Sequence, residues 1–124
     1  MSTERIKNIK KNILKVSHSA NDGHLGSSFS IIDILFVLYD RVMNLTLENI
    51  NDEDRDYMVL SKGHASLAHA AILEEKGFIS KKQLMSFCSH DSILGGHLNK
   101  NKVPGVEAST GSLGHGIPIS VGIA

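Results

Sequence analysis

The chain has 124 residues, of which 41% are apolar, and its 13 acidic residues balance its 13 basic residues. This length and apolar content suit one globular domain or part of one, and they exclude a disordered chain. The balanced charge gives no net field that would attract nucleic acid or an anionic membrane, so neither partner is expected.

Cysteine content and the N-terminal composition indicate a cytoplasmic protein. Cys88 is the single cysteine, so it cannot form an internal disulfide, and it is predicted to be a buried core thiol. The first residues lack the apolar stretch of a secretory signal, and no run is long and apolar enough to cross a bilayer.

An amphipathic helix is predicted from the N-terminus to about residue 20, because apolar residues recur at helical spacing while lysines occupy the other faces. The apolar positions are Ile6, Ile9, Ile13 and Val16. After a loop over 21–28, Ser30 is placed to cap a second helix, and Asp33 can complete a capping box. The almost continuously apolar run 31–39 predicts that this helix is buried on most sides.

Residues 57–60 are short and apolar between charged and small polar residues, which predicts a buried strand. The charged turn 54–56 before it is expected to form local ion pairs. The next helix should run from about His64 to Glu75 and end at a left-handed Gly77. A shorter helix should follow, capped by Ser80 with Gln83 at the capping-box position.

A long irregular segment is predicted over 88–112, which is rich in Gly, Ser, Asn and His and contains a Pro104-Gly105 turn signal. A loop of this length is usually functional or disordered. A last helix should begin near Pro118, directly after the glycine-rich run 111–116. Its first amides are expected to be unpaired, which predicts an anion site at the helix start.

Outside the glycine-rich run 111–116, which contains His115, three histidines stand directly after a glycine: His24, His64 and His97. A neighbouring glycine leaves little bulk, so a ligand can approach both the imidazole and the backbone amides. Together with the run 111–116, these pairs predict a ligand pocket that is assembled by folding. His18, His69 and His90 lack the pattern and are expected at the surface or hydrogen-bonded in the core.

The histidines leave a metal hydrolase open as another class of enzyme. His64 and His69 are five residues apart, which places them on different helical faces, unlike the close pairs of zinc enzymes. Asp91 with His90 or His97 could form a metal site by chance.

Three segments carry a family resemblance: DGHLGSSFSIIDILFVLY, RDYMVLSKGHASLAHAAIL and LGGHLNKNKVPGVEASTGSLGHGIPISVGIA. In order and flanking residues they resemble the N-terminal part of transketolases, and the GSLGHG form resembles the N-terminal subunits of split bacterial or archaeal transketolases. The resemblance covers nearly the whole chain. It implies an α/β fold in which residues 1–124 form an N-terminal, helix-rich fragment of a thiamine diphosphate-binding, parallel-sheet domain.

The resemblance also implies roles for individual residues. His97 matches the histidine that orients or deprotonates the donor sugar, which makes it the main catalytic candidate. His24 and His64 match histidines that line the channel for cofactor and donor and have proton-transfer roles. The cofactor contacts implied are His64, Gly111, Leu113 and Gly114.

The activity implied is transfer of a two-carbon ketol unit between sugar phosphates, as in the pentose phosphate pathway, with thiamine diphosphate and Mg²⁺ or Ca²⁺ as cofactors. The Gly-Asp-Gly metal motif of transketolases does not occur between Met1 and Ala124, so the metal ligands are expected outside this chain. Glu107 is not the glutamate that activates the cofactor, and His115 stands where full-length transketolases often have glutamine. The chain is therefore expected to be inactive alone and to need a C-terminal subunit or further domains, in a dimer or heterotetramer.

Two alternatives stay open. The chain could be a truncated, non-catalytic fragment or assembly piece, which would expose apolar surface and unfold with little cooperativity. It could instead belong to a related thiamine diphosphate-dependent ketol-transferring enzyme, since such enzymes share the early motifs.

Overall fold

Helices and long connecting segments make up residues 2–124, which the computed structural model describes, with side chains described from Thr3 onward. The helices are α1 (Ser2–Ala20), α2 (Leu25–Phe29), α3 (Ile32–Val37), α4 (Ser66–Glu75), α5 (Lys81–Met85) and α6 (Gly116–Ile123). A π-helical turn, Leu38–Val42, continues α3, and a 3₁₀ turn, Gly63–Ala65, precedes α4. In this part of the chain no helix is both long enough and apolar enough to span a membrane.

Helix α4 is the centre of the core. Every residue from Ser66 to Leu73 is buried, and the helix contacts α1, α2, α3 and α5. A helix that is apolar on all sides must be enclosed by its neighbours. The predicted first helix is confirmed, with the Ile9, Ile13 and Val16 side chains buried in the same core.

The predicted cap of the second helix is wrong, because residues 25–29 form a short helix of their own and Ser30 ends it. The Ser30 hydroxyl donates to the Ser27 carbonyl oxygen at 2.8 Å, and the Asp33 carboxylate accepts from Lys10 Nζ at 2.8 and 2.9 Å. Helix α3 is also less buried than predicted, since Ile34 is 61% exposed.

The predicted strand at 57–60 is not observed, and residues 2–124 contain no strand at all. Met58 is buried as predicted, but Tyr57 is exposed. A strand exists only through ladder hydrogen bonds to a neighbouring strand, and no segment within residues 2–124 provides that ladder. The helix-rich character of the fragment is therefore confirmed, whereas the parallel sheet is not shown.

The predictions that depended on local chemistry are confirmed after α4. Gly77 has a φ of +84° and ends the helix in the left-handed region. The Ser80 hydroxyl accepts from the Gln83 amide at 3.2 Å, and the Gln83 side chain accepts from the Ser80 amide at 2.8 Å, which completes the capping box of α5.

The segment between α5 and α6 is irregular, as predicted, and it contributes Leu94, Val103 and Val106 to the core. Cys88 lies at its beginning with a φ of +61°, and its amide donates to the Leu94 carbonyl oxygen at 2.8 Å. The prediction of a core thiol is wrong, because this left-handed turn leaves Cys88 exposed.

Candidate functional site

Residues 60–64 lie between α2 and the glycine-rich run and are hydrogen-bonded to both. The Thr110 hydroxyl donates to the Leu60 carbonyl oxygen at 2.5 Å, and the Gly116 amide donates to the Ser61 hydroxyl at 3.1 Å. These bonds hold the run 111–116 beside the second glycine-histidine pair.

On the other side, the same segment contacts the first glycine-histidine pair. Lys62 Nζ donates to the Ser30 hydroxyl at 2.7 Å and to the Ser27 carbonyl oxygen at 3.3 Å. The rings of His24 and His64 lie 5.7 Å apart between centroids, with an angle of 56° between their planes. Two of the predicted histidines are therefore neighbours, although 40 residues separate them in the sequence.

Gly63 is required by a close approach of two backbones. A Cβ atom at this position would lie 2.7 Å from the carbonyl carbon and oxygen of Thr110 and 2.8 Å from the amide nitrogen of Gly111. These are backbone atoms that cannot rotate away, so a side chain at residue 63 would displace the glycine-rich run.

His97 reaches the same place from the loop after α5. The Ser66 hydroxyl donates to the Gly96 carbonyl oxygen at 2.7 Å and anchors the preceding residue to the start of α4. The exposed His97 ring covers Gly111, since a Cβ atom there would lie 3.3 Å from His97 Cδ2 and 3.6 Å from Nε2. The structure thus brings the three pairs and the run together, while the roles assigned to them stay predictions.

Leu113 and Gly114 form the open edge of this site. Leu113 is 73% exposed, and a Cβ atom on Gly114 would have no neighbour within 4 Å. Gly114 has a φ of +85°, a conformation that favours glycine. This edge therefore presents backbone and an unpacked apolar side chain to any molecule that binds beside His97 and His64.

The start of α6 offers fewer free amides than the sequence predicts. The Gly116 amide is taken by Ser61, Pro118 has no amide hydrogen, and the Ile119 amide donates to the His115 carbonyl oxygen at 3.4 Å. Ile117 remains as the donor of this first turn. The prediction of an anion site built on unpaired amides is corrected accordingly.

Sequence reasoning missed the ion pair of Arg55 with Glu107. The guanidinium nitrogens Nη1 and Nη2 donate to the two carboxylate oxygens at 2.7 and 3.2 Å, and both side chains are almost buried. The guanidinium also lies 4.0 Å from the centroid of the Tyr57 ring. The local ion pairs predicted for the turn 54–56 are therefore wrong for Arg55, which instead holds the segment leading to Thr110.

The three histidines without a glycine partner lie where the sequence predicts. His69 is buried in α4 with its Nε2 2.9 Å from the Tyr39 hydroxyl, and burial lowers the pKa of His69 to about 4. His18 and His90 are exposed. Across residues 2–124 no group of three or more metal-binding side chains converges, so the metal-hydrolase alternative has no geometric support there.

A comparison with protein families identifies the family of this chain. The family model described as "Transketolase, thiamine diphosphate binding domain" matches residues 2–124. The chain belongs to this transketolase family. The resemblance found in the sequence motifs is therefore confirmed.

Relatives and solved structures agree with this assignment. One of the subunits of apulose-4-phosphate transketolase from Actinobacillus succinogenes is 38% identical over 122 residues, which are 98% of this chain and 44% of that protein. A protein named ferredoxin fas2 from Rhodococcoides fascians is 44% identical over 104 residues, which are 84% of this chain and 34% of that protein. The structure of transketolase from Leishmania mexicana covers 98% of this chain with a TM-score of 0.91 and 28% identity, and the match spans 18% of that protein. The chain thus spans less than half the length of these relatives.

Proposed function

We propose that this chain supplies the N-terminal part of a thiamine diphosphate-dependent active site that transfers a two-carbon ketol unit between sugar phosphates. The proposal rests on one observation. His24, His64 and His97 lie close to the glycine-rich run, in a chain that belongs to the transketolase family. The relative from Actinobacillus succinogenes is named as one subunit of a transketolase, which supports an assembly of separate chains.

The residues at the open edge fit the proposed cofactor. Gly114 exposes backbone without a side chain, Leu113 provides an unpacked apolar surface, Gly111 lies against the His97 ring, and the adjacent His64 provides a hydrogen-bonding imidazole. We propose that the two glycines, Leu113 and His64 hold thiamine diphosphate. When bound, the cofactor supplies a nucleophilic carbon and an electron sink for breaking a carbon–carbon bond.

The histidines would accept or donate protons at the donor sugar and would orient its hydroxyl groups. His97 is exposed beside Gly111, so its imidazole can accept a proton from a donor hydroxyl or orient that hydroxyl near neutral pH. His24 and His64 form a neighbouring pair of hydrogen-bonding groups that can bind further hydroxyl or phosphate oxygens.

The rest of the site would come from outside these residues. We propose that Mg²⁺ or Ca²⁺ is bound by ligands beyond them, that the chain alone is inactive, and that the complete assembly is a cytoplasmic dimer or heterotetramer. The apolar side chains Ile117 and Val121 of α6 are 69% and 73% exposed, which supports a covering by further structure. Residues 57–60 would then join the parallel sheet that the family fold requires.

A non-catalytic assembly piece is the alternative, and the same exposed apolar face of α6 is compatible with it. One relative is named a ferredoxin, but this name gives no reason to expect an iron–sulfur cluster in the 124 residues of this chain. These 124 residues contain one cysteine, and such clusters are held mostly by four thiolates.

Reconstitution tests the proposal. The gene product is combined with its candidate C-terminal partner chain, and thiamine diphosphate binding is measured by calorimetry alongside ketol transfer from a ketose phosphate. His97→Ala should lower kcat by about 10²–10⁴-fold, because it removes a general acid–base group. His90→Ala, which changes an exposed histidine outside the site, should leave kcat unchanged. An assembly that binds no thiamine diphosphate would overturn the proposal.

A further inference from the structure

We propose that Asp22 is a positioning residue for His24: its carboxylate holds the imidazole as the tautomer protonated on Nδ1, so that Nε2 is free to accept a hydrogen bond from a ligand. This inference rests on the proposed function, since it specifies how one histidine of that site is prepared. Nothing in the glycine-histidine pattern itself requires an acidic residue two positions earlier.

The contact is direct, and the carboxylate that makes it is largely shielded from water. Asp22 Oδ1 lies 3.1 Å from His24 Nδ1. The Asp22 side chain is 8% exposed, whereas that of His24 is 49% exposed. The carboxylate therefore lies beneath the imidazole, and the ring itself is open to solvent and to the neighbouring His64.

The backbone of Asp22 is fixed at the end of α1, so the carboxylate has little freedom to move away. The Asp22 amide donates to the Ser17 carbonyl oxygen at 3.0 Å, and the Ser17 hydroxyl donates to the Asp22 carbonyl oxygen at 2.9 Å. Asn21, with a φ of +50°, makes the left-handed turn that ends the helix. The acceptor is thus held in place before any ligand binds.

The His24 ring is the one hydrogen-bonding partner of this carboxylate in the described part of the chain, where Oδ2 is buried without a partner. An ionised carboxylate only accepts hydrogen bonds, so an unprotonated Nδ1 at this distance would place two acceptors face to face. An unpaired buried acceptor is costly. The proton therefore belongs on Nδ1, and the second ring nitrogen becomes the acceptor, as when a carboxylate orients a metal-binding histidine.

Three other titratable side chains lie near the pair. His64 is beside the His24 ring, and His18 lines a cavity together with Asp22. Partial burial, with a further contribution from the charge of Asp22, raises the pKa of the Cys88 thiol.

Nitrogen-15 NMR of the histidine rings tests the tautomer in the full gene product without cofactor. Spectra are recorded at about pH 8.5, where a histidine with the ordinary pKa of about 6.5 is neutral. His24→Gln assigns the resonances. In the wild-type protein, His24 Nδ1 should have the shift of a protonated nitrogen and Nε2 that of an unprotonated one.

Substitution then shows whether Asp22 causes this state. Asp22→Ala should move the proton to Nε2, and Asp22→Asn, whose amide oxygen is a weaker acceptor, should give a mixture. Asp33→Ala is the matched control, because Asp33 pairs with Lys10 and should leave the His24 shifts unchanged. A wild-type His24 protonated on Nε2, or an unaltered tautomer in Asp22→Ala, would overturn the inference.

The NMR result is independent of the proposed function. It uses no cofactor, whereas thiamine diphosphate binding is measured separately on the assembled protein. Binding with the wrong tautomer would refute the role of Asp22 alone, and the right tautomer without binding would refute the proposed function alone.

Discussion

Replacing His69 with glutamine should remove much of the acid sensitivity of this fold. His69 is 2% exposed in α4, and its Nε2 lies 2.9 Å from the hydroxyl of Tyr39, which is also buried. Burial lowers the pKa of His69 from 6.5 to about 4, because the charged imidazolium would lose its hydration. Glutamine can still form a hydrogen bond with Tyr39, but it does not titrate.

The sign and size of the effect follow from proton linkage. His69 in the unfolded chain binds a proton near pH 6.5, whereas in the folded chain it does so only near pH 4. The stability associated with neutral His69 is thus fully present above pH 6.5 and is lost as pH falls toward 4. A tenfold change in proton affinity corresponds to about 1.4 kcal/mol, so the complete loss is about 3 kcal/mol, of which about 2 kcal/mol is lost by about pH 5.

Urea unfolding followed by circular dichroism measures this difference at steps of pH. The free energy of unfolding of the wild-type chain should fall by about 3 kcal/mol more than that of His69→Gln between about pH 7 and about pH 4. His18→Gln changes an exposed histidine and should follow the wild type. A constant difference between wild type and His69→Gln over this range would refute the reasoning.

Two further substitutions test the contacts that build the site. Gly63→Ala should destabilise the chain by about 1–3 kcal/mol in urea unfolding, because the new Cβ meets the backbone of residues 110 and 111. Gly26→Ala, in open space within α2, should be neutral or slightly stabilising, and equal losses for the two glycines would contradict the close approach. Glu107→Gln should cost about 3–5 kcal/mol, since it leaves the almost buried Arg55 without a charge partner. The exposed Glu53→Gln is its control, and a loss below about 1 kcal/mol for Glu107→Gln would show that the pair does not hold the segment.

The sequence by itself determined the features that depend on residues near one another. The apolar spacing of α1, the left-handed Gly77 and the capping box of Ser80 and Gln83 all follow from interactions within about one helical turn. The glycine-histidine pairs could be recognised for the same reason, because each pair is a local pattern. Their order along the chain was sufficient to indicate the family.

The tertiary structure decided everything that depends on partners distant in the sequence. Ser30 could have been a cap, but Lys62 and the short helix α2 give its hydroxyl other contacts. The partner of Arg55 is 52 residues away, and that of His69 is 30 residues away. Residues 57–60 have the composition of a strand, yet a strand also needs a neighbour to accept and donate its hydrogen bonds. Local chemistry determines which conformations a segment prefers, but only the folded chain determines which groups meet.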